Sequence, residues 1–212
     1  MRPLLCFFAF LAVSITAQAA PQQEPATLCE QAIGKAEAIG HTPSGMLAAI
    51  GQVESGRPDP QAGRVLPWPW TIDADGVGQF FATKAQAVSA VAALQAQGVR
   101  SIDVGCMQVN LMHHPDAFTS LGQAFDPPSN TAYAARFLNM LYRRTGSWPK
   151  SIAAYHSETP QIAADYQRRV LATWQQQVRT PVTGGPTYVD SGLIYGAFGS
   201  TGRVYGLILP GR

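Results

Sequence analysis

The chain has 212 residues, of which 46% are hydrophobic and 13% charged; this composition suits one folded domain and excludes a wholly disordered protein. The formal net charge is only +2, and no run of lysine and arginine is longer than two residues. Such a chain has no charged face that would gather phosphates, which argues against nucleic acid as a partner.

The first 19 residues have the pattern of a secretory signal peptide. Arg2 supplies a positive charge, residues 4–15 form a nearly unbroken apolar run, and Ala17-Gln18-Ala19 has the small-x-small form that signal peptidase cuts. The run is shorter than the roughly 20 apolar residues of a membrane-spanning helix. We therefore expect cleavage after Ala19, a mature protein without a transmembrane segment, and a location in the periplasm or outside the cell.

Removal of the signal peptide leaves two cysteines, Cys29 and Cys106. Two thiols of one chain usually pair in an oxidising compartment, so a disulfide between them is the leading prediction, with two buried free thiols as the alternative. Such a bond would stabilise the fold by about 4–5 kcal/mol in the chain-entropy model. Two cysteines without clustered histidines do not form a zinc site, and we expect no metal.

The chain from Cys29 to about Val178 is mostly helical by pattern, because apolar residues recur there at helical spacing. Each predicted helix opens at a capping residue or a proline, and most close at a glycine. The predicted helices run from Thr42 to Gly56, from the capping box at Thr83 to Gly98, from Asp126 to Gly146, from Ser147 to Tyr155, and from Thr159 to about Val178. The last helix carries an apolar stripe of Ile162, Tyr166, Val170 and Trp174.

One β-hairpin interrupts the helices. Aromatic and β-branched residues between positions 67 and 81 flank Asp75-Gly76, a dipeptide that favours hairpin turns. Residues 180–212 are rich in glycine, proline and tyrosine, show no helical period, and are predicted to form a flexible or loosely docked tail. The sequence therefore predicts a mainly α domain of the α+β type over residues 20–179, with one small hairpin and a C-terminal tail.

Glu54 is difficult to explain by stability alone. It follows Leu47 and Ile50 at i+7 and i+4, which places its carboxyl beside the buried stripe in the last turn of the first predicted helix. The helix dipole and burial should both raise the pKa of this carboxyl, and a carboxylic acid that keeps its proton near neutral pH can act as a general acid. The alternative is a partly exposed glutamate paired with Arg57 or Arg64.

Three short motifs accompany this glutamate: Glu54-Ser55-Gly56, then Gly105-Cys106-Met107-Gln108-Val109-Asn110, then Ala154-Tyr155-His156-Ser157. Their order and spacing resemble the catalytic domain of soluble lytic transglycosylases, a goose-lysozyme-like family whose motifs read E-S, G-L-M-Q-x-N and A-Y-N-x-G. The resemblance covers residues from about 28 to 174 and is carried by the three motifs together. It implies a lysozyme-like fold that cleaves peptidoglycan.

The resemblance implies a role for each matched residue. Glu54 would be the single catalytic acid/base, and Ser55 would position it or the acetamido group of the substrate. Tyr155 would form a hydrogen bond near Glu54 and hold its carboxyl in place. The glycan groove would be lined by Met107, Gln108 and Asn110. Each also has a structural interpretation: core packing for the methionine, a turn for the glutamine and asparagine, and helix packing for the tyrosine.

Two positions depart from the family pattern. Cys106 replaces a leucine, in keeping with a disulfide to Cys29 that braces the site, and His156-Ser157-Glu158 replaces Asn-x-Gly. His156 would either titrate usefully near neutral pH as part of the site or serve as a satisfied structural imidazole, and the structural interpretation is favoured.

The mechanism implied by the resemblance needs no metal or organic cofactor. Glu54 protonates the oxygen between N-acetylmuramic acid (MurNAc) and N-acetylglucosamine (GlcNAc), and the substrate's own N-acetyl group stabilises the charge at C1. Glu54 then takes the proton of the C6 hydroxyl, which closes on C1 to give a 1,6-anhydro sugar. Trp68 and Trp70 could stack on sugar rings at the rim, although core packing explains the same residues equally well.

Two other functions stay open. A muramidase would hydrolyse the same bond with a second carboxylate, for which Asp73 and Asp75 are the candidates and Glu158 a distant third. A non-catalytic protein would bind glycan strands as part of an envelope-spanning secretion or conjugation apparatus. An active enzyme could also open the cell wall locally for such a machine.

Overall fold

The computed structural model describes residues 24–179. The predicted signal peptide over residues 1–19 and the predicted tail over residues 180–212 lie outside the described residues. Within residues 24–179, no helix combines the length and the apolar character that crossing a bilayer requires. The elements of this range are α1 Pro25–Gly40, α2 Met46–Ser55, β1 Gly56–Asp59, β2 Arg64–Pro67, β3 Thr71–Ala74, β4 Val77–Phe80, α3 Lys84–Ala96, β5 Ile102–Val104, β6 Val109–Asn110, α4 Leu121–Ala124, α5 Pro127–Thr145, α6 Trp148–His156 and α7 Pro160–Arg179.

Helix α2 lies inside the helical part of the molecule. It packs against α1 and α7, while α5 packs against α1 and α6. The shared core is formed by fully or almost fully buried side chains from α1, α2, α5, α6 and α7, among them Ile33 of α1, Leu47 and Ile50 of α2, Leu138 of α5 and Val170 of α7. Burial of such aliphatic side chains is the main force that holds the helices together. The mainly α, lysozyme-like α+β fold is confirmed.

The predicted hairpin is confirmed and belongs to a four-stranded antiparallel sheet of order β4-β3-β5-β6. Its turn residues Asp75 and Gly76 both have positive φ, at 55° and 81°, as the favoured two-residue hairpin turn requires. Side chains alternate between the faces of a strand, so the buried Ile72, Ile102 and Val104 share one face. A second antiparallel pair, β1 with β2, leads from α2 to this sheet.

Asp73, Asp103 and Asn110 form a cross-strand row on the other face of that sheet. Asp73 is paired with Asp103 in the β3–β5 register, and Asp103 is paired with Asn110 in the β5–β6 register. Two carboxylates directly opposite each other are unfavourable in a sheet, so stability does not account for the row.

The helix starts were predicted well where the signal is local. The capping box of Thr83 and Gln86 is present at α3, and the side chain of Asp126 accepts from the backbone of Ser129 at α5. The predicted start of α2 at Thr42 is wrong, because the helix begins at Met46.

The start of α2 is fixed from another helix. The carboxylate of Glu37, in α1, accepts hydrogen bonds from the backbone N–H groups of Gly45 at 3.1 Å, Leu47 at 2.7 Å and Ala48 at 3.1 Å. These are the N–H groups that a helix leaves without internal partners at its N-terminus. Burial raises the pKa of Glu37, and the three backbone hydrogen bonds act in the opposite direction.

The predicted disulfide is confirmed. Cys29 of α1 and Cys106 of the loop after β5 are bonded, with their Cα atoms 5.7 Å apart, and both are buried. The bond therefore connects the first helix directly to the second sequence motif.

Candidate active site

Glu54 lies in the last turn of α2, where its carboxyl is partly buried. Its Oε1 accepts a hydrogen bond of 2.6 Å from the hydroxyl of Tyr166, a buried residue of α7. The pKa of Glu54 is raised to about 8, chiefly by burial and also by the charges of Asp103 and Asp73, although the Tyr166 hydrogen bond and the nearby Arg169 act in the opposite direction. The carboxyl is therefore mostly protonated at neutral pH, as a general acid must be.

The alternative ion pairs of Glu54 do not form in the structure. Arg64 instead binds Glu30 of α1, with nitrogen and oxygen 2.6 Å apart. Arg57 lies over the ring of Trp68, 4.4 Å from its centroid. The interpretation of Glu54 as a surface glutamate paired with Arg57 or Arg64 is wrong, because both guanidinium groups have other partners.

Ser55 connects α2 to the second motif. Its buried hydroxyl donates to the carbonyl oxygen of Cys106 at 2.7 Å, with the carbonyl oxygen of Gly51 at 3.1 Å as a second acceptor. The same hydroxyl oxygen accepts from the backbone N–H of Trp68 at 3.3 Å. Ser55 thus holds backbone groups beside Glu54, and a contact with the acetamido group of a substrate stays a prediction.

The second motif forms a tight loop that is hydrogen-bonded to Ser55, the residue after Glu54. Met107 is fully buried, and Gln108 has a positive φ of 45°. The Gln108 side-chain amide donates to the carbonyl oxygens of Gly105 at 3.0 Å and Thr71 at 3.3 Å, which ties the loop to β3. Asn110 forms a turn, because its Oδ1 accepts hydrogen bonds from the backbone N–H groups of Met112 and His113. Its Nδ2 donates to the hydroxyl of Ser101.

Tyr155 was expected to form the hydrogen bond that holds the Glu54 carboxyl, but in the structure Tyr166 forms it. The hydroxyl of Tyr155 donates to the carbonyl oxygen of Met107 at 2.9 Å, so it holds the second motif. The hydroxyl that holds the Glu54 carboxyl belongs to Tyr166. Burial raises the pKa of both tyrosines well above the ordinary value, and the charge of Glu54 raises them further, so both remain hydroxyl donors.

His156 ends α6 and stacks on the ring of Tyr166. The two ring centroids are 4.5 Å apart and the ring planes differ by 9°. His156 is exposed, but partial desolvation of the imidazole lowers the pKa of His156, and the charge of Arg169 lowers it further. His156 is therefore neutral at pH 7 and contacts Glu54's hydrogen-bond partner.

The candidate second carboxylates lie in different environments. Asp73 acts electrostatically on Glu54, and its Oδ1 accepts from the backbone N–H of Gly76 at 2.8 Å. Asp75 is exposed in the turn, and Glu158 is exposed and bound to Arg144 at 3.2 Å. Asp73 is therefore the one of these three with an electrostatic link to Glu54.

Three residues of the site were not predicted. Tyr166 was assigned to the apolar stripe of its helix, and Asp103 lies in a strand too short to show alternation. Asn130 is fully buried in α5; its Oδ1 accepts from the N–H of Met107 at 2.9 Å, and its Nδ2 donates to Val104 and Ala124. A polar residue four positions before the buried Ala134, on the inner face of α5, was the signal that could have identified it.

Asp103 has an unusual carboxyl. The pKa of Asp103 is raised to about 6, chiefly by burial and also by the charge of Asp73, although the hydrogen bond with Asn110 and the charge of His113 act in the opposite direction. Asp103 also raises the pKa of Glu54, so the cross-strand row faces the site.

The tryptophans of the predicted rim are partly buried. Trp68 donates its indole N–H to the carbonyl oxygen of Phe81 at 2.8 Å, and it meets Trp70 edge to face with the ring centroids 6.0 Å apart. These contacts fix the rings, and stacking on sugars stays a prediction.

Comparison with known proteins identifies one family. The family model described as Transglycosylase SLT domain matches residues 31–170, a range that contains the three motifs, Asn130 and Tyr166. No curated protein and no solved structure matches the chain.

Proposed function

Because the chain belongs to the family of transglycosylase SLT domains, which act on peptidoglycan, we propose that it cleaves the β-1,4 bond between MurNAc and GlcNAc and leaves 1,6-anhydro-MurNAc ends. Glu54 is the single acid/base of this reaction. The observation that supports this role is the pKa of Glu54, raised to about 8 by burial, together with the hydroxyl of Tyr166 only 2.6 Å from its carboxyl.

The reaction makes two opposite demands on Glu54. First, its proton passes to the bridging oxygen while the C1–oxygen bond breaks, the electron pair leaves with that oxygen, and the substrate's N-acetyl oxygen stabilises C1. Then the carboxylate removes the C6 hydroxyl proton as that oxygen bonds to C1, which restores the acid without consuming water. Burial favours the acid at the start, and the hydrogen bond from Tyr166 stabilises the carboxylate between the two steps.

A muramidase is the second candidate. The observation in its favour is that Asp73 and Asp103 both act electrostatically on Glu54. A carboxylate at that position could activate water or attack C1, and hydrolysis would leave ordinary reducing ends.

We expect the enzyme to work after export. The signal pattern over residues 1–19 suggests the periplasm or the cell exterior, and the Cys29–Cys106 disulfide suits an oxidising compartment. Peptidoglycan glycan strands are the substrate, and local opening of the cell wall for a secretion or conjugation apparatus is the proposed physiological role.

The test digests purified peptidoglycan with the mature protein and with Glu54→Gln, and it measures both clearing in a gel and the masses of the products. We expect clearing by the wild type alone, with product ends one water lighter than reducing ends. Reducing ends alone would contradict the transglycosylase proposal and support the muramidase. Equal clearing by both proteins would show that a residue other than Glu54 is the acid/base. No clearing by either would favour a glycan-binding role.

A further inference from the structure

We propose that His156 is a positioning residue that acts on Glu54 through the ring of Tyr166. This inference rests on the proposed role of Glu54 as the acid/base. His156 comes from the end of α6, Tyr166 from α7 and Glu54 from α2, so the three residues connect three helices at the site.

The stack restrains the ring that carries the hydrogen-bonding hydroxyl. The phenol hydroxyl of Tyr166 has a single proton to donate, and a hydrogen bond weakens steeply as its geometry departs from linear. A ring held nearly parallel to a neighbour at 4.5 Å cannot tilt freely, and its hydroxyl stays 2.6 Å from the Glu54 carboxyl. The guanidinium of Arg169 lies 5.7 Å from the Tyr166 ring.

The restraint on Tyr166 depends on the aromatic ring of His156 and not on its charge. Although His156 is exposed at the end of α6, partial desolvation and the charge of Arg169 lower the pKa of its imidazole, so at pH 7 the contact with Tyr166 is mainly one between two uncharged aromatic rings. An aromatic residue without ring nitrogens should therefore replace His156, whereas a side chain without a ring should not.

The experiment compares His156→Ala, His156→Gln and His156→Phe with Tyr166→Phe and with the double variant that combines His156→Ala and Tyr166→Phe, all in the mature chain. Lys150→Ala, an exposed change in the same helix, is the control. One readout is the pKa of Glu54, followed in the absence of substrate by the carbon-13 chemical shift of labelled glutamate and assigned with Glu54→Gln. The other is kcat and KM on purified peptidoglycan, and thermal unfolding confirms that each variant is folded.

We expect His156→Ala and His156→Gln to raise the pKa of Glu54, the same direction as Tyr166→Phe, because the hydrogen bond that lowers it is weakened. They should lower kcat about 10-fold with KM within about 2-fold, since the acid is misplaced while the groove is intact. His156→Phe should retain kcat within about 3-fold, and the double variant should match Tyr166→Phe, because the two residues act as one unit.

Other results would overturn the inference. An unchanged or lowered pKa of Glu54 in His156→Ala, effects that multiply in the double variant, or a His156→Phe enzyme as slow as His156→Ala would each exclude action through the stacked ring. Failure of the proposed function looks different. The wild type would then not cleave peptidoglycan, while the pKa of Glu54 would still respond to His156 and Tyr166.

Discussion

The hydroxyl of Ser55 and the carbonyl oxygen of Cys106, 2.7 Å apart, join the residue after Glu54 to the residue before Met107. Both residues are buried, so water cannot replace either partner easily. The end of α2 and the second motif are thereby fixed relative to each other at the point where the acid is presented.

Replacement of Ser55 by alanine should lower the free energy of unfolding by about 1–3 kcal/mol, because the Cys106 carbonyl loses its buried donor. Urea denaturation measures the change. Ser89→Ala on the exposed side of α3 is the control and should stay within about 0.5 kcal/mol of the wild type. Equal stability of the two variants would contradict the structural importance of the hydrogen bond.

The pH dependence of cleavage should follow the protonation of the Glu54 carboxyl. Because burial raises its pKa to about 8, the required proton is present at neutral pH and is lost above pH 8. We expect kcat to fall about tenfold per pH unit on the alkaline side. Initial rates on labelled peptidoglycan between pH 3 and 10 measure this, and a decline centred near pH 4.5 would show that the acid has the pKa of an ordinary glutamate.

Glu54→Gln should make the protein more stable at alkaline pH. With its pKa raised above the unfolded value, Glu54 binds more proton in the folded state, so its contribution to the free energy of unfolding falls as the pH rises from about 4.5 to about 8. Glutamine has no such penalty, and its advantage should grow through this window and then level off. Denaturant unfolding at several pH values tests this; a difference that is constant with pH would contradict it.

Gly105 should tolerate alanine less well than Gly76 does. Both have φ near +80°, but a Cβ at Gly105 would lie 2.6 Å from the Asn130 side-chain nitrogen, whereas a Cβ at Gly76 meets no atom within 4 Å. Gly76→Ala should cost about 1 kcal/mol for the backbone conformation alone. Gly105→Ala should cost about 1–3 kcal/mol more, because Asn130 must move. Equal losses in denaturant unfolding would show that the Asn130 contact is unimportant.

The parts of the structure predicted from the sequence are those that neighbouring residues determine. Thr83 and Gln86, three residues apart, cap the same helix, and the Asp75-Gly76 turn depends on its own residues and on the nearby Asp73. The spacing of Leu47, Ile50 and Glu54, which predicted that the carboxyl lies beside the buried stripe, is also local. Its partner Tyr166 is 112 residues away, and on pattern alone a tyrosine in an apolar stripe is indistinguishable from any core residue.

The strands were harder to predict for a different reason. Strands β5 and β6 have three and two residues, too few to show an alternation of polar and apolar side chains. The sequence therefore did not indicate on which face of the sheet Asp103 lies. Its position opposite Asp73 is known only from the pairing of the two strands.

The contact between Glu37 and the first turn of α2 limits how the domain can be shortened. A truncation that removes α1 would leave three backbone N–H groups of the acid-bearing helix without acceptors and would also delete Cys29. A minimal expressible fragment for crystallisation or engineering must therefore include α1, even though every sequence motif of the active site lies after residue 53.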